Sequence, residues 1–208
     1  MGRSADQAVN EMVSLLPLTL VERGLHDLGD CAAALPRSAD ALRQQSSLLE
    51  DFTLDELASV GQAMRRIEAA PGQRLIEEGE SGDWMLLVLQ GTVDVTKQIM
   101  RHDAHGLSTA EPLEVSRLAV VRAGATLGEM SMLDSEPRNA SCSAIDAVHA
   151  AILTRAAVGE LIRAQPAVGA KLLVKITQLL AQRLRNTSAK LVKEVASRKQ
   201  RDLFKAAA

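Results

Sequence analysis

Two hydrophobic periodicities divide the chain. Leu54, Leu57, Val60, Gly61 and Met64 recur at steps of three and four, the spacing of a helix that buries one face. Thr53 and Glu56 stand as a capping box at its start, with Phe52 before the cap as an apolar staple. The spacing predicts a helix across 48–66. From Pro71-Gly72 the period shortens to two. Gln73–Ile76 reads as a short strand and Glu78-Gly79-Glu80-Ser81-Gly82-Asp83 as a turn. Trp84–Leu89 is an apolar strand, Gln90-Gly91 a turn, and Thr92–Thr96 alternates. Val115–Val121 is a further strand, and Ala140–Ala151 alternates loosely before Ile152-Leu153. Turns roughly every ten residues suit an all-β barrel or sandwich.

Helical spacing then returns. Thr154 is placed to cap a short helix holding Val158, Leu161 and Ile162, and Pro166 opens the longest helical segment, to about 196. Its apolar positions, Val168, Leu172, Ile176, Leu179, Leu180, Leu184, Leu191 and Val195, form a wide, drifting stripe. A helix covering a barrel needs only about three or four turns, and this one has roughly eight. The excess predicts a homodimer through paired helices.

Two segments are less regular. In residues 1–46, Val9, Met12, Val13 and Leu16 recur at helical steps. Thr19 is a candidate cap for a second helix with Leu20, Leu25 and Leu28, and Ser38 for a third through Leu42. This predicts a helical extension packed on the main domain or on a second subunit. Arg101–Pro112 reads as a polar loop longer than a hairpin needs. The expected division is 1–46 extension, 47–165 β-rich domain with flanking helices, and 166–208 long helix with a basic tail.

Composition removes several classes. With 47% hydrophobic residues the chain can build a core, and a net charge of −2 gives no global attraction to nucleic acid or membranes. Two Phe, one Trp and no Tyr argue against a stacking platform for single strands. Cys31 and Cys142 follow no metal spacing and read as reduced thiols. The longest N-terminal apolar run, Val13–Val21, is interrupted by Ser14, Pro17 and Thr19, too short to span a bilayer. A cytoplasmic protein is expected. His26, His102, His105 and His149 are scattered. They assemble no catalytic triad, and His102 with His105 is too few ligands for a metal. Neither an enzyme nor a metal site is expected.

The candidate chemistry lies in Gly128-Glu129-Met130-Ser131-Met132-Leu133-Asp134-Ser135-Glu136-Pro137-Arg138-Asn139-Ala140-Ser141. Gly128 lets backbone approach a ligand closely. Glu129 is a carboxylate suited to sugar hydroxyls, and Arg138 a planar cation suited to phosphate. Backbone N–H groups around Asn139 and Ala140 can form an anion-binding nest. The combination suits a cyclic ribose phosphate.

This stretch resembles the phosphate-binding cassette of the cyclic nucleotide-binding domain family. The order Glu78-Gly79-Glu80-x-Gly82-Asp83, apolar strand, Gly91-x-Val93-x-Val95 resembles the family too. The resemblance implies an α+β fold: an antiparallel, jelly-roll-like β-roll flanked by helices, with a long C-terminal dimerisation helix. It implies that Glu129 takes the ribose 2′-hydroxyl and Arg138 the cyclic phosphate. The implied binding set is Gly128, Glu129, Met130, Ser131, Arg138, Asn139 and Ala140. Leu127 stands where the family often has an aromatic.

Leu180–Leu191 resembles the long helix of the catabolite activator protein group, where a Thr-Ser pair reaches adenine, the Ser from the partner subunit. Thr187 and Ser188 match that pair. The resemblance ends near 192. The remaining Lys193–Ala208 is too short for that group's winged helix-turn-helix, so no sequence-specific DNA binding is expected. The expectation is a cyclic AMP receptor, with cyclic GMP as the other ligand because some cyclic GMP binders place a guanine-contacting Thr at the position of Asn139. It would signal to a partner protein as its C-terminal helix moves. The alternatives are a dimeric scaffold that has lost its ligand, or a DNA-associated regulator.

Overall fold

The computed structural model describes residues 16–102 and 108–206. Nine strands form two antiparallel sheets among the described residues, a five-stranded one ordered β1-β2-β9-β4-β7 and a four-stranded one ordered β3-β8-β5-β6. The strands are β1 (His26–Asp30), β2 (Arg65–Ala69), β3 (Arg74–Ile76), β4 (Trp84–Gln90), β5 (Thr92–His102), β6 (Ser108–Arg122), β7 (Thr126–Leu127), β8 (Ser141–Ala144) and β9 (Val148–Thr154). The helices are α1 (Leu18–Glu22), α2 (Ala34–Arg37), α3 (Ala39–Gln45), α4 (Leu54–Gln62), α5 (Glu129–Asp134), α6 (Arg155–Ala164) and α7 (Pro166–Ala206). This is the expected antiparallel β-roll with flanking helices and a long C-terminal helix.

The apolar run of β4 is continuous because both its faces are covered. Trp84, Leu86 and Val88 join Leu127, Cys142, Val148 and Ile152 in the core of the roll. Met85 and Leu87 join Phe52, Leu57, Leu161, Leu172 and Ile176 in a second core, under the helices. β9 splits the same way, with Ile152 in the first core and Leu153 in the second.

Thr53 caps α4 as expected. Its Oγ1 accepts from Glu56 N at 3.3 Å, and Glu56 Oε2 accepts from Thr53 N at 2.7 Å. Thr154 likewise caps α6, accepting from Ala157 N at 3.1 Å. Lys171 of α7 donates to Glu56 Oε2 at 2.7 Å and to the Asp51 carbonyl at 2.8 Å, fastening the long helix to α4.

Several expectations are corrected. The extension is not all helical, because residues 26–30 add β1 to the edge of the larger sheet through Asp27↔Ile67. Pro17, not Thr19, occupies the N-cap of α1. Ser38 precedes α3 without a side-chain capping bond. The α4 periodicity ends at Gln62, and Arg65–Ala69 is a strand with Ile67 and Ala69 turned inward. Most of the supposed polar loop is ladder, with Met100 opposite Pro112 and His102 opposite Ser108. α7 runs 41 residues, through the basic segment to Ala206. The helix expected around Val9–Val13 lies outside the described residues, as does His105. No helix among the described residues is long and apolar enough to cross a membrane.

Candidate phosphate-binding cassette

The cassette hangs between β7 and β8. Gly128 opens α5 with φ +80°, a left-handed conformation that glycine adopts without steric penalty. α5 is six residues long and ends at Ser135, also left-handed at φ +67°. Arg155, first residue of α6, clamps this short helix. Its Nε donates to the Met132 carbonyl at 2.5 Å, Nη2 to the Ser131 carbonyl at 2.9 Å and Nη1 to Ser135 Oγ at 2.5 Å. The cation thus pairs the Met132 carbonyl at the end of the helix and adds a second donor to the Ser131 carbonyl, which also accepts from Ser135 N at 3.1 Å.

Arg138 is positioned by backbone and by a ring. Its N–H donates to the Glu80 carbonyl at 2.8 Å, and its carbonyl accepts from Gly79 N at 2.8 Å. Its guanidinium carbon lies 4.2 Å from the centroid of the Trp84 ring, within cation–π range. Nη1 donates to the Gly128 carbonyl at 2.9 Å. Gly82 and Gly128 flank the guanidinium so closely that a Cβ at either position would collide with it. Arg138 is only 3% exposed. Burial pulls its pKa down, opposed first by the Glu80 carboxylate and then by Cys142, Asp83 and Glu129.

Glu129 is equally buried, at 3%. Its Oε1 pairs with Arg183 of α7, whose Nη2 also donates to the Thr126 carbonyl at 2.6 Å and to Thr126 Oγ1 at 3.2 Å. Among the described residues, Glu129 Oε2 and Arg138 Nε and Nη2 are buried without a hydrogen-bond partner. Such groups are costly to leave unpaired.

The other expected residues are placed as follows. Gly128 touches Arg138 directly, and Ser131 is buried with its carbonyl held by Arg155. Met130 is exposed. Asn139 is exposed, its Oδ1 and carbonyl accepting from Lys97 Nζ at 2.8 and 2.6 Å. Ala140 packs at the edge of the roll core. Thr187 and Ser188 are exposed on α7. Thr187 follows Arg183 by four residues, so it lies one turn further on the same helix face. Glu129 and Arg138 are therefore brought together with Gly128, whereas, among the described residues, Thr187 and Ser188 make no hydrogen bond to them and stay exposed on α7.

Trp84, Thr126, Arg155 and Arg183 are the residues that sequence reasoning missed. Trp84 is the lone tryptophan and follows the Gly82-Asp83 turn, a signal that was available. Arg183 stands four residues before Thr187, so the helical period would have found it. A cleft of about 310 Å³ lined by Ser81, Gly82, Asp83, Ser135 and Arg155 lies beside the cassette. It shares Gly82 with the Arg138 pocket, but neither Arg138 nor Glu129 lines it.

The family model of the cyclic nucleotide-binding domain matches residues 66–165. A solved cyclic nucleotide-binding domain from Methylobacillus flagellatus is 31% identical. The match covers 82% of this chain and 89% of that one, with a TM-score of 0.67. A CRP-like cAMP-activated global transcriptional regulator of Mycobacterium tuberculosis is 23% identical over 152 residues, 73% of this chain and 61% of the regulator. A cGMP-dependent protein kinase, egl-4 of Caenorhabditis briggsae, is 27% identical over 112 residues, 54% of this chain and 13% of the kinase. The chain thus spans about three fifths of the regulator's length and a small part of the kinase's. With the β-roll, the cassette and this agreement over most of both chains, the protein belongs to the cyclic nucleotide-binding domain family.

Proposed function

We propose that the chain is a non-enzymatic cyclic nucleotide receptor that prefers cyclic AMP, pairs with a second copy through α7, and signals to a partner protein in the cytoplasm. The observation that carries this reading is the pair of buried, oppositely charged side chains with unpaired polar atoms, Glu129 Oε2 and Arg138 Nε and Nη2. A ribose hydroxyl donates to a carboxylate oxygen, and a cyclic phosphate accepts from a guanidinium. One cyclic ribose phosphate meets both needs, its 2′-hydroxyl at the carboxylate and its anionic phosphate at the guanidinium.

Output is proposed to run through Arg183. It reaches Glu129 from the long helix, so a ligand hydroxyl on Glu129 changes the surroundings of an α7 residue. Such coupling needs ligand affinity to differ between two positions of the helix. The dimer reading rests on the far half of α7, where Leu184, Leu191, Val192 and Val195 are exposed. Cyclic AMP preference rests on Thr187-Ser188 and on the similarity to a cAMP-activated regulator. The similarity to a cGMP-dependent kinase and the exposed Asn139 support cyclic GMP as the second ligand. Calorimetric titration with cyclic AMP, cyclic GMP and a cyclic dinucleotide is the test. The expected order is cyclic AMP, then cyclic GMP, with no dinucleotide binding. Absence of binding by both mononucleotides to folded protein would refute the receptor reading.

A further inference from the structure

The N-terminal extension reaches the back of the phosphate site. Leu16, Leu20 and Leu25 are buried in the same core as Trp84 and Cys142, so the extension is anchored in the core that also holds the ring on which Arg138 lies. Between these anchors Arg23 turns onto the loop that holds Arg138. Its Nη1 donates to the Leu75 carbonyl at 3.0 Å and to Glu80 Oε1 at 3.2 Å, and its Nη2 pairs with Glu80 Oε2. Gln73 Nε2 donates to the Arg23 carbonyl at 2.8 Å and fixes the backbone at that point. Glu80 has a second role, because its carbonyl accepts the Arg138 N–H at 2.8 Å.

From this geometry we propose that Arg23 is a positioning residue for the phosphate site, acting through Glu80 on Arg138. The inference rests on the reading of Arg138 as the phosphate-binding group. The bidentate pair does two things. It fixes the Glu80 side chain, which also accepts from Glu77 N at 3.0 Å, and so shapes the turn whose carbonyl orients the Arg138 backbone. It also neutralises Glu80. Without Arg23, that carboxylate would be an uncompensated negative charge close to Arg138 and would compete with a phosphate for its field. Among the charges acting on Arg138, Glu80 is the strongest. Arg23 and Glu80 are both largely shielded, with side chains 21% and 17% exposed, so screening by water is incomplete.

The test uses the full chain and titrates cyclic AMP and its Sp and Rp phosphorothioates, which differ only in which phosphate oxygen is sulfur. Arg23→Gln keeps part of the stem and a polar end, but carries no charge. It is expected to weaken cyclic AMP roughly three- to tenfold, the effect of one shielded charge near a charged ligand, and to narrow the Sp-to-Rp ratio. Arg23→Lys should restore part of the affinity, and Arg23→Gln with Glu80→Gln should restore the ratio by removing the stranded carboxylate. Thermal melting identifies the folded variants, and Arg23→Lys remains informative if the Gln variant does not fold. Unchanged affinity in the Gln variant, equal weakening of both diastereomers, or no recovery in the double variant each overturn the proposal. Arg138→Ala is the control for the underlying reading. If it binds cyclic AMP like the parent protein, the phosphate assignment itself fails, whatever Arg23 does.

Discussion

Arg138 is a buried cation whose guanidinium is left largely without protein acceptors. Among the described residues, Nη1 is the one side-chain nitrogen of Arg138 with a protein acceptor. The Trp84 face supports the guanidinium without consuming a hydrogen bond. Arg138→Ala is therefore expected to cost roughly 2–5 kcal/mol of binding, about thirtyfold to several thousandfold in affinity. Arg138→Lys should recover only part, because an ammonium lacks the planar fork. Titration with cyclic AMP checks both, and parent-like affinity in a folded Ala variant rules out the phosphate role. The thiols give a second prediction at this scale. Burial pushes Cys31 and Cys142 up from 9.0 to about 12. Between those values the unfolded chain loses thiol protons that the native state keeps, so the thiol contribution is full below pH 9 and is lost as pH rises towards 12. Neither thiol should react with iodoacetamide at pH 8 in native protein, since the thiolate is the nucleophile. Melting temperature should fall above pH 9, and less steeply in Cys31→Ala with Cys142→Ala.

Among the elements, α7 changes character along its length. Val168, Leu172 and Ile176 are buried in the helix-side core, Leu179 and Leu180 pack at its edge, and Leu184 is 70% exposed. Gly169 belongs to the buried half, where a Cβ would strike Ile162. The two candidate seam positions therefore separate. Leu180→Asp is expected to lower monomer stability as well as pairing. Leu184→Asp should reduce pairing and leave the melting temperature of the monomer within a few degrees, as surface changes shift stability by only about 0.5 kcal/mol. Sedimentation velocity at micromolar concentration measures the difference, and a Leu184→Asp protein as dimeric as its parent would place the seam elsewhere. Local signals made some elements readable in advance. The capping box at Thr53 and Glu56 involves residues three apart. Gly128, Glu129 and Arg138 share one loop, so their chemistry was visible as a motif. β2 was hidden because its alternation spans only five residues and its partners, β1 and β9, lie far away in sequence. The pairing of His102 with Ser108 was hidden for a related reason: polar residues occupy these positions, so no hydrophobic alternation marked them as strand.

At the scale of the whole molecule, long-range contacts join the cassette loops to distant elements, and these were the least legible feature. Arg183 meets Glu129 across 54 positions and Arg23 meets Glu80 across 57; the helical step back from Thr187 marks Arg183, but no local pattern encodes either pairing. With Arg183 on the cassette, Thr187 follows one turn along the same helix face, about 6 Å away at 1.5 Å per residue. Ser188 is rotated about 100° further round the helix and is exposed. The resemblance to the catabolite activator protein group implies that the proposed dimer would supply base contacts from two chains, Thr187 from one copy and Ser188 from the other. Hydroxyls accept from the adenine amine but also rotate and donate to the guanine carbonyl. Their discrimination is therefore modest, at about 1 kcal/mol for each neutral bond. Thr187→Ala with Ser188→Ala is expected to weaken cyclic AMP by roughly 1–3 kcal/mol, the range of one or two such bonds, and cyclic GMP less. A dimer-built site adds a signature that a single-chain site lacks. Ser188→Ala alone should have no effect in the Leu184→Asp background, because the monomer has already lost the partner's hydroxyl, while Thr187→Ala should still weaken binding there. Equal losses of both nucleotides in the double variant would assign base preference to the roll pocket or to Asn139. An undiminished Ser188→Ala effect in the monomer would assign Ser188 to its own chain's site.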